Sequence, residues 1–324
     1  MLVSDMCGGV GEENGRGAPV SERALSWAAL QQVEGMGAGT MLRLGRAFGS
    51  PEAALRGSRE ELVGRGKLSA RQAEQVVGMR EKLELVQARI EAWRSQGIAV
   101  VEMDDAGYPG GLRALRSPPP LLYVRGTLTA EDERAVAVVG TREPDRKGGR
   151  AARMLAKGLA RRGLTVVSGL ARGIDTAGHR GALAAEEGRT TAVLGCGLLE
   201  IYPPENGMLA RQIAARGCLV AEAPPETRVN RRLLLARDRL QAALSRAVIV
   251  VQAHGECGSM VTARHAVQCR RMLYGVPWSE RPFSAGWERL REMGARPIGQ
   301  DGDLDALAEE IEAGAGDREQ GPLF

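Results

Sequence analysis

Two rhythms of apolar and polar residues run along this chain. From residue 21 to residue 97, short apolar clusters such as Leu42, Leu44 and Phe48 are broken by glycines at 35, 37, 39, 49, 64 and 66. Helix-start signals sit between the breaks. Ser50-Pro51-Glu52 puts a capping residue before a proline at the first helical position, where a missing N–H costs nothing. Ser58 to Glu61 and Ser69 to Gln72 fit the reciprocal capping box, in which each side chain satisfies the other residue's free backbone N–H. Residues 21–97 are therefore predicted to form a compact helical module. Residues 98–127 read as a connector with added strands at Ile98–Met103 and Leu121–Val124. Between them Ser117-Pro118-Pro119-Pro120 cannot be helical, because proline lacks the donor and clashes with the preceding turn.

From Ala135 the second rhythm takes over. Short, continuously apolar runs at Ala135–Val139, Leu164–Val167, Thr190–Leu194, Cys218–Ala221, Ala247–Val251 and Met272–Val276 alternate with helix-length segments at 149–162, 176–187, 205–216 and 259–270. Strands without polar alternation, separated by helices, imply βαβ units and a parallel sheet covered on both faces. The fold class is α/β. In such sheets ligands bind outside the carboxyl ends of the strands, so the loops that follow those strands are where function is sought.

Four of these loops carry unusual residues: Gly140-Thr141-Arg142, the run from Ser168 through Gly169, Arg172 and Gly173 to Asp175, Gly195-Cys196-Gly197, and Gly258-Ser259 followed by Thr262. Glycine lets the backbone approach a ligand closely. A helix that starts after such a turn aims free N–H groups and the positive end of its dipole at an anion. Ser168, Ser259, Thr141 and Thr262 add hydroxyls, and Arg142 and Arg172 add charge. Together they predict a phosphate cradle. Neither the dinucleotide fingerprint G-x-G-x-x-G nor the G-x-x-x-x-G-K-[ST] loop occurs, so nicotinamide redox chemistry and ATP hydrolysis lack support.

Charge sharpens this picture. The net charge is only +4, but between Arg134 and Ser279 23 Lys and Arg face 11 Asp and Glu, while the remainder holds 21 basic and 29 acidic residues. A basic middle with acidic flanks suits a polyanion ligand. The five cysteines are odd in number and scattered, without a CxxC pair, which argues for a reducing, cytoplasmic setting. Three histidines, His179, His254 and His265, give no metal-site spacing, and no metal or cofactor is expected. Residues 1–20 lack the basic start and apolar centre of a secretory signal and read as a flexible lead-in. No apolar run approaches membrane-spanning length.

These loops, in this order, resemble the DNA-processing protein A (Smf) family. The resemblance rests on AVVGTR (137–142), VVSGLARGIDTAGHRGAL (166–183), AVLGCGLLEIYPPEN (192–206), the stretch 237–253 and GSMVTA (258–263). In the front half it rests on Gly35-Met36-Gly37, FGSPEAAL (48–55), DDAGYP (104–109) and PPPLLYVRG (118–126). It implies an extended Rossmann-like domain over 98–300 behind a small helix–hairpin–helix (SAM-like) domain over 21–97. It also implies single-stranded DNA binding without sequence preference, homodimerisation, RecA loading during natural transformation, work alongside single-strand-binding protein, and no membrane. By position, the DNA contacts it implies are Gly140, Thr141, Arg142, Ser168, Gly169, Gly173, Arg237, Arg239, Gly258 and Ser259. The chain departs from the family where an F-P-x-R-N-R run is usual and Leu234 to Arg239 reads LLARDR, placing an acid, Asp238, between the two arginines. Val276-Pro277-Trp278 replaces the usual V-P-G turn, and residues 301–324 are expected to be a short tail, with a helix near 303–312 and no winged helix.

Arg142, Arg172, Arg237 and Arg239 are the arginines expected to track phosphates. Asp175 is read as a capping carboxylate that orders its loop rather than as a catalyst, with His179 one turn on as a candidate partner, and Gly195 and Gly197 are read as loop-ordering. Small size explains Cys196 and Cys257 better than reactivity. At Gly35-Met36-Gly37, Glu34 and the scarcity of lysines favour a packing or partner role over DNA contact. The competing reading is a nucleotide-binding sensor or a nucleotide-processing enzyme on a related scaffold. The phosphoribohydrolases resembling it carry P-G-G-x-G-T-x-x-E, and residues 257–264 offer no such glutamate.

Overall fold

The structure, a computed structural model, describes residues 20–254, 257–277, 284–300 and 302–314. The lead-in 1–19, Trp278 and the tail from 315 lie outside the described residues. The chain divides into two compact units, one formed by 43–100 with the described part of 1–36, the other by 37–42 with the residues from 101 onward.

The first unit is built from helices until its last residues. Its elements are α1 (Glu22–Gln31), α2 (Ala38–Phe48, whose first turn belongs to the second unit), α3 (Pro51–Arg56), α4 (Arg59–Gly64), α5 (Ala70–Gly78) and α6 (Leu83–Ser95). The starts follow the capping signals. Ser50 accepts from the Ala53 N–H, and both capping boxes, Ser58 with Glu61 and Ser69 with Gln72, are closed. Trp27 is buried, and Gly45 leaves room for its ring: a Cβ there would come within 2.8 Å of Trp27 Cη2. In the Gly35-Met36-Gly37 turn Met36 is buried, Gly35 holds φ +75°, and Arg71 pairs with Glu34 at 2.6 Å.

The second unit carries the sheet, apart from residues 98–100 of the first strand, which fall in the first unit. The strands are β1 (Ile98–Glu102), β2 (Leu121–Gly126), β3 (Ala135–Gly140), β4 (Thr165–Ser168), β5 (Thr190–Leu194), β6 (Cys218–Ala221), β7 (Ala247–Val251), β8 (Met272–Val276) and β9 (Arg296–Pro297). Their order is β1-β2-β6-β5-β4-β3-β7-β8-β9. The run from β6 to β9 is parallel, and β2 is antiparallel to β6, so the sheet is not parallel throughout. The helices are α7 (Gly110–Arg113), α8 (Arg146–Ala160), α9 (Ile174–Leu183), α10 (Gly207–Arg216), α11 (Arg231–Leu244), α12 (Gly258–Gln268), α13 (Ser284–Glu292) and α14 (Leu304–Ala313).

The period of two sorts the two cores. On β3, Val136 and Val138 face α8, α9 and α14, whereas Ala135, Ala137 and Val139 face α7, α11 and α12. Both sets are almost wholly buried, which explains strands that read as unbroken apolar runs. The helix near 303–312 is not a trailing tail: as α14 it buries Leu307, Ala308 and Ile311 in the same core as α8. Two chain directions part at β3, whose neighbours are β4 on one side and β7 on the other. This is the topological switch point, where open α/β sheets leave a crevice.

Candidate nucleic-acid interface

A groove of about 910 Å³ opens at that switch point, walled by the loop after β3, the first turns of α11 and the start of α12. Close approach of strands needs glycine here: a Cβ on Gly140 would collide with the Val251 carbonyl of β7. Thr141 N–H then donates to the Gln252 carbonyl at 2.9 Å, and Arg142, exposed, stands on the rim. Beneath it a buried brace joins the loop to the end of β7. Gln252 Nε2 donates to Asp145 Oδ1 at 2.6 Å, the Asp145 N–H donates to Gln252 Oε1 at 3.1 Å, and the same Asp145 oxygen caps α8 through the Gly148 N–H at 2.8 Å. The partners are 107 residues apart in sequence, so no local pattern announces them.

Helix α12 begins in the groove. Its N-cap Cys257 makes no side-chain capping bond, and the N–H groups of Gly258 and Ser259 have no acceptor among the described residues. A helix end of this kind is suited to an anion. Thr262, one turn on, is buried and turns its hydroxyl toward Gln241 Oε1 and the Gly258 carbonyl, each at 3.4 Å. Ser259 Oγ lies 3.0 Å from Cys257 Sγ. Gln241, on the groove floor and 1% exposed, has an amide Nε2 with no acceptor among the described residues.

The loop from Ser168 to Asp175 is held from within. Ser168, fully buried, donates to the Val138 carbonyl at 2.7 Å. Asp175 Oδ2 accepts from the N–H groups of Gly169 at 3.1 Å and Ala171 at 3.3 Å. It therefore orders the preceding loop rather than capping the helix it opens, and it does so from the second position of α9, after Gly173 at φ +75°. A Cβ on Gly173 would strike the Thr141 and Arg142 carbonyls. Burial pushes the Asp175 carboxyl up, against the nearby Arg237 charge. His179 does not pair with Asp175: its Nδ1 meets Thr190 Oγ1 at 2.7 Å, and burial depresses it to about 3.

The four arginines expected on phosphates diverge. Arg142 faces the groove. Arg237 also lines it but is 7% exposed, donating to the carbonyls of Gly169 at 2.7 Å and Val193 at 2.6 Å and to Asp238 at 2.8 Å. It is a brace under the site, between two buried carboxylates. Arg239 lies about 200° further round α11. It bonds the Ser117 carbonyl at 3.1 Å and Glu222 at 2.6 Å, outside the groove lining. Arg172 is exposed, pairs with Glu205, and does not line the groove. Gly195 and Gly197 have packing roles, since a Cβ on Gly195 would fall 2.7 Å from Leu234 Cα and one on Gly197 would strike the Pro224 and Pro225 carbonyls.

Residues not singled out from the sequence complete the rim. Asn230 caps α11 by accepting from the Leu233 N–H at 2.9 Å, and the next residue, Arg231, is exposed beside the groove, as is Arg264 on α12. Arg142, Arg231 and Arg264 have no ion pair or side-chain hydrogen bond among the described residues. Glu143 is the exposed carboxylate on the same rim. Asp238 is buried. Its carboxyl rises to about 6, mainly through burial and with help from Asp175, against the pull of Arg237 and Arg142.

A mostly parallel Rossmann-like sheet with a cation-rimmed groove at its switch point defines the class: an α/β protein of the open, doubly covered kind. More narrowly, the chain belongs to the DNA recombination-mediator protein A family, whose sequence model matches residues 99–310. Protein Smf of Synechocystis sp. is 37% identical over 261 residues, 79% of this chain and 65% of that protein. The X-ray structure of DNA processing protein A from Streptococcus pneumoniae superposes with a TM-score of 0.74 at 26% identity, over 90% of this chain and 99% of that one. DNA processing protein A from Helicobacter pylori, solved in a study of its single-stranded DNA binding mode, superposes with a TM-score of 0.58 at 29% identity, over 68% and 97%. Among the described residues no helix is long and apolar enough to cross a membrane.

Proposed function

We propose that this chain is a cytoplasmic single-stranded DNA-binding protein, not a catalyst, that holds a strand in the switch-point groove and passes it to RecA. The carrying observation is the groove itself. Three exposed arginines with no ion pair or side-chain hydrogen bond among the described residues, Arg142, Arg231 and Arg264, surround a helix N-terminus whose first N–H groups are open. Phosphates meet both features, and neither reads a base. With aromatics at 3% of the chain and Tyr202 the aromatic side chain on the groove wall among the described residues, phosphate contacts dominate over stacking in this reading.

The single-stranded DNA binding of the Helicobacter relative supports this reading. Homodimerisation, cooperation with single-strand-binding protein and a role in natural transformation belong to the same proposal. Asp175, the carboxylate that follows the glycine loop, accepts two loop N–H groups, which favours a scaffold role. The test is a competition series with labelled oligo-dT displaced by unlabelled oligo-dT, matching duplex or free dTMP. Displacement by the oligomer alone is expected. Displacement by dTMP at comparable concentration would replace the reading with nucleotide sensing. For RecA, the readout is relief of the block that single-strand-binding protein imposes on filament growth, and no relief would remove the loading role.

A further inference from the structure

A second basic feature begins where the groove ends. Helix α8 contains Arg146, Lys147, Arg150, Arg153 and Lys157 and no Asp or Glu. Positions 146, 150, 153 and 157 fall at i, i+4, i+7 and i+11, one face of a 3.6-residue helix. Arg146, Arg150 and Arg153 are exposed and Lys157 is half-buried. None of the four has an ion pair or side-chain hydrogen bond among the described residues. In contrast Arg162, just past the helix, is paired with Asp305 at 2.6 Å. The stripe starts four residues after groove-lining Arg142 and extends about 16 Å along the helix at ~1.5 Å per residue.

The stripe leads to a hollow. Between α8, α9 and α10 lies a cavity of about 460 Å³, lined by the cationic Arg153 and Arg180, by Gln212 and by the aliphatic Leu183, Ala184 and Ala215. Arg180 is exposed and its side chain has no ion pair or hydrogen bond among the described residues. Arg216 closes the end and is fully engaged, donating to the Leu183 carbonyl at 2.8 Å and the Ala185 carbonyl at 2.7 Å, so the hollow has a fixed wall. The nearest carboxylates along the chain, Glu186 and Glu187, lie beyond the end of α9.

We infer that the α8 stripe and this hollow form a second nucleic-acid subsite, which takes the strand as it leaves the groove. The phosphates run along Arg146, Arg150, Arg153 and Lys157, and a base enters the hollow between Arg153 and Arg180. Three observations select this occupant. The stripe is continuous in sequence with the groove rim. Its charges recur every turn, a spacing comparable with that of phosphates in an extended strand. The hollow sets aliphatic side chains beside two arginines, whose guanidinium planes can stack on an unstacked base. An isolated anion would need one or two of these charges, not a row.

The inference rests on the groove binding a strand, and the experiment separates the two. Anisotropy titrations use a short oligo-dT that fills the groove alone and a longer one that also reaches α8. Two variants of the full chain are compared with the parent: Arg150→Ser/Arg153→Ser/Lys157→Ser/Arg180→Ser, which removes charge, and Ala184→Trp, which fills the hollow and keeps charge. The parent is expected to bind the long oligomer more tightly and with a steeper salt slope. In the charge variant that slope falls by roughly 0.7 per lost phosphate contact and the affinity gain of the long oligomer disappears, while short-oligomer affinity stays within about twofold of the parent. Ala184→Trp lowers long-oligomer affinity only. If the short oligomer binds and neither variant affects the long one, the second subsite is overturned. If the short oligomer fails to bind the parent, it is the groove reading that fails.

Discussion

At the scale of single residues, the chemistry turns on which arginines are free and which are spent. Arg237 is held by two carbonyls and Asp238 in a buried setting. Arg237→Ala leaves two buried carboxylates, Asp238 and Asp175, without their counter-charge, and breaking such a pair costs about 3–5 kcal/mol. We expect this variant to unfold at markedly lower urea, whereas Arg142→Ala leaves the unfolding midpoint unchanged and weakens DNA. A stable Arg237→Ala protein with weakened DNA binding would return that arginine to the strand.

Two buried groups give opposite pH responses. Folded His179 stays neutral down to about 3, whereas the unfolded residue takes a proton near 6.5, so stability falls as pH drops below that value. Folded Asp238 takes a proton near 6 and the unfolded carboxylate only near 3.9, so stability rises as pH falls from 6 to 4. The two trends offset. Asp238→Asn removes one, and its stability should fall relative to the parent by about 1.4 kcal/mol per pH unit between pH 6 and 4. Urea titrations at three pH values check this; parallel pH curves for the two proteins would contradict it. The parent should also bind DNA a few-fold tighter at pH 5.5 than the variant's own pH trend allows, because protonating Asp238 removes a negative charge from the groove.

At the scale of elements, the glycine loops bring backbone and brace together. A Cβ on Gly169 would overlap the Arg237 guanidinium, which hydrogen bonds hold in place. Gly169→Ala should therefore cost about 1–3 kcal/mol as an overpacking change and weaken DNA along with it; an unchanged melting temperature would count against the brace. The strand positions were readable because these strands are buried on both faces, and Thr190–Leu194, Cys218–Ala221, Ala247–Val251 and Met272–Val276 coincide with β5 to β8. Helix ends were less readable. Helix α8 starts at 146 rather than 149 because Asp145 caps it, and α11 hides in an arginine-rich stretch whose start is set by Asn230. The antiparallel pairing of β2 with β6 and the Asp145–Gln252 brace depend on partners far apart in the chain. The site was legible as a set of loops. Which arginine faces it was not: residues 237 and 239 look equivalent in sequence, and only the turn of α11 separates them.

At the scale of the whole molecule, the surplus of positive charge between Arg134 and Ser279 resolves into distinct groups. Some of it is internal or paired, as at Arg237, Arg239 and Arg189. Other charges, Arg142, Arg231 and Arg264 at the groove and those along α8 among them, are open to solvent or half so. Long-range attraction of a polyanion depends on the open group, and such attraction weakens with ionic strength. The most direct measurement is therefore the salt dependence of oligo-dT affinity for the parent and for Arg142→Ala/Arg231→Ala/Arg264→Ala. The parent should show a linear fall of log affinity with log salt, and the triple variant a slope shallower by about 2, from ~0.7 per phosphate contact, with an unchanged melting temperature. Identical slopes in the two proteins would contradict a strand held at the β3/β7 groove.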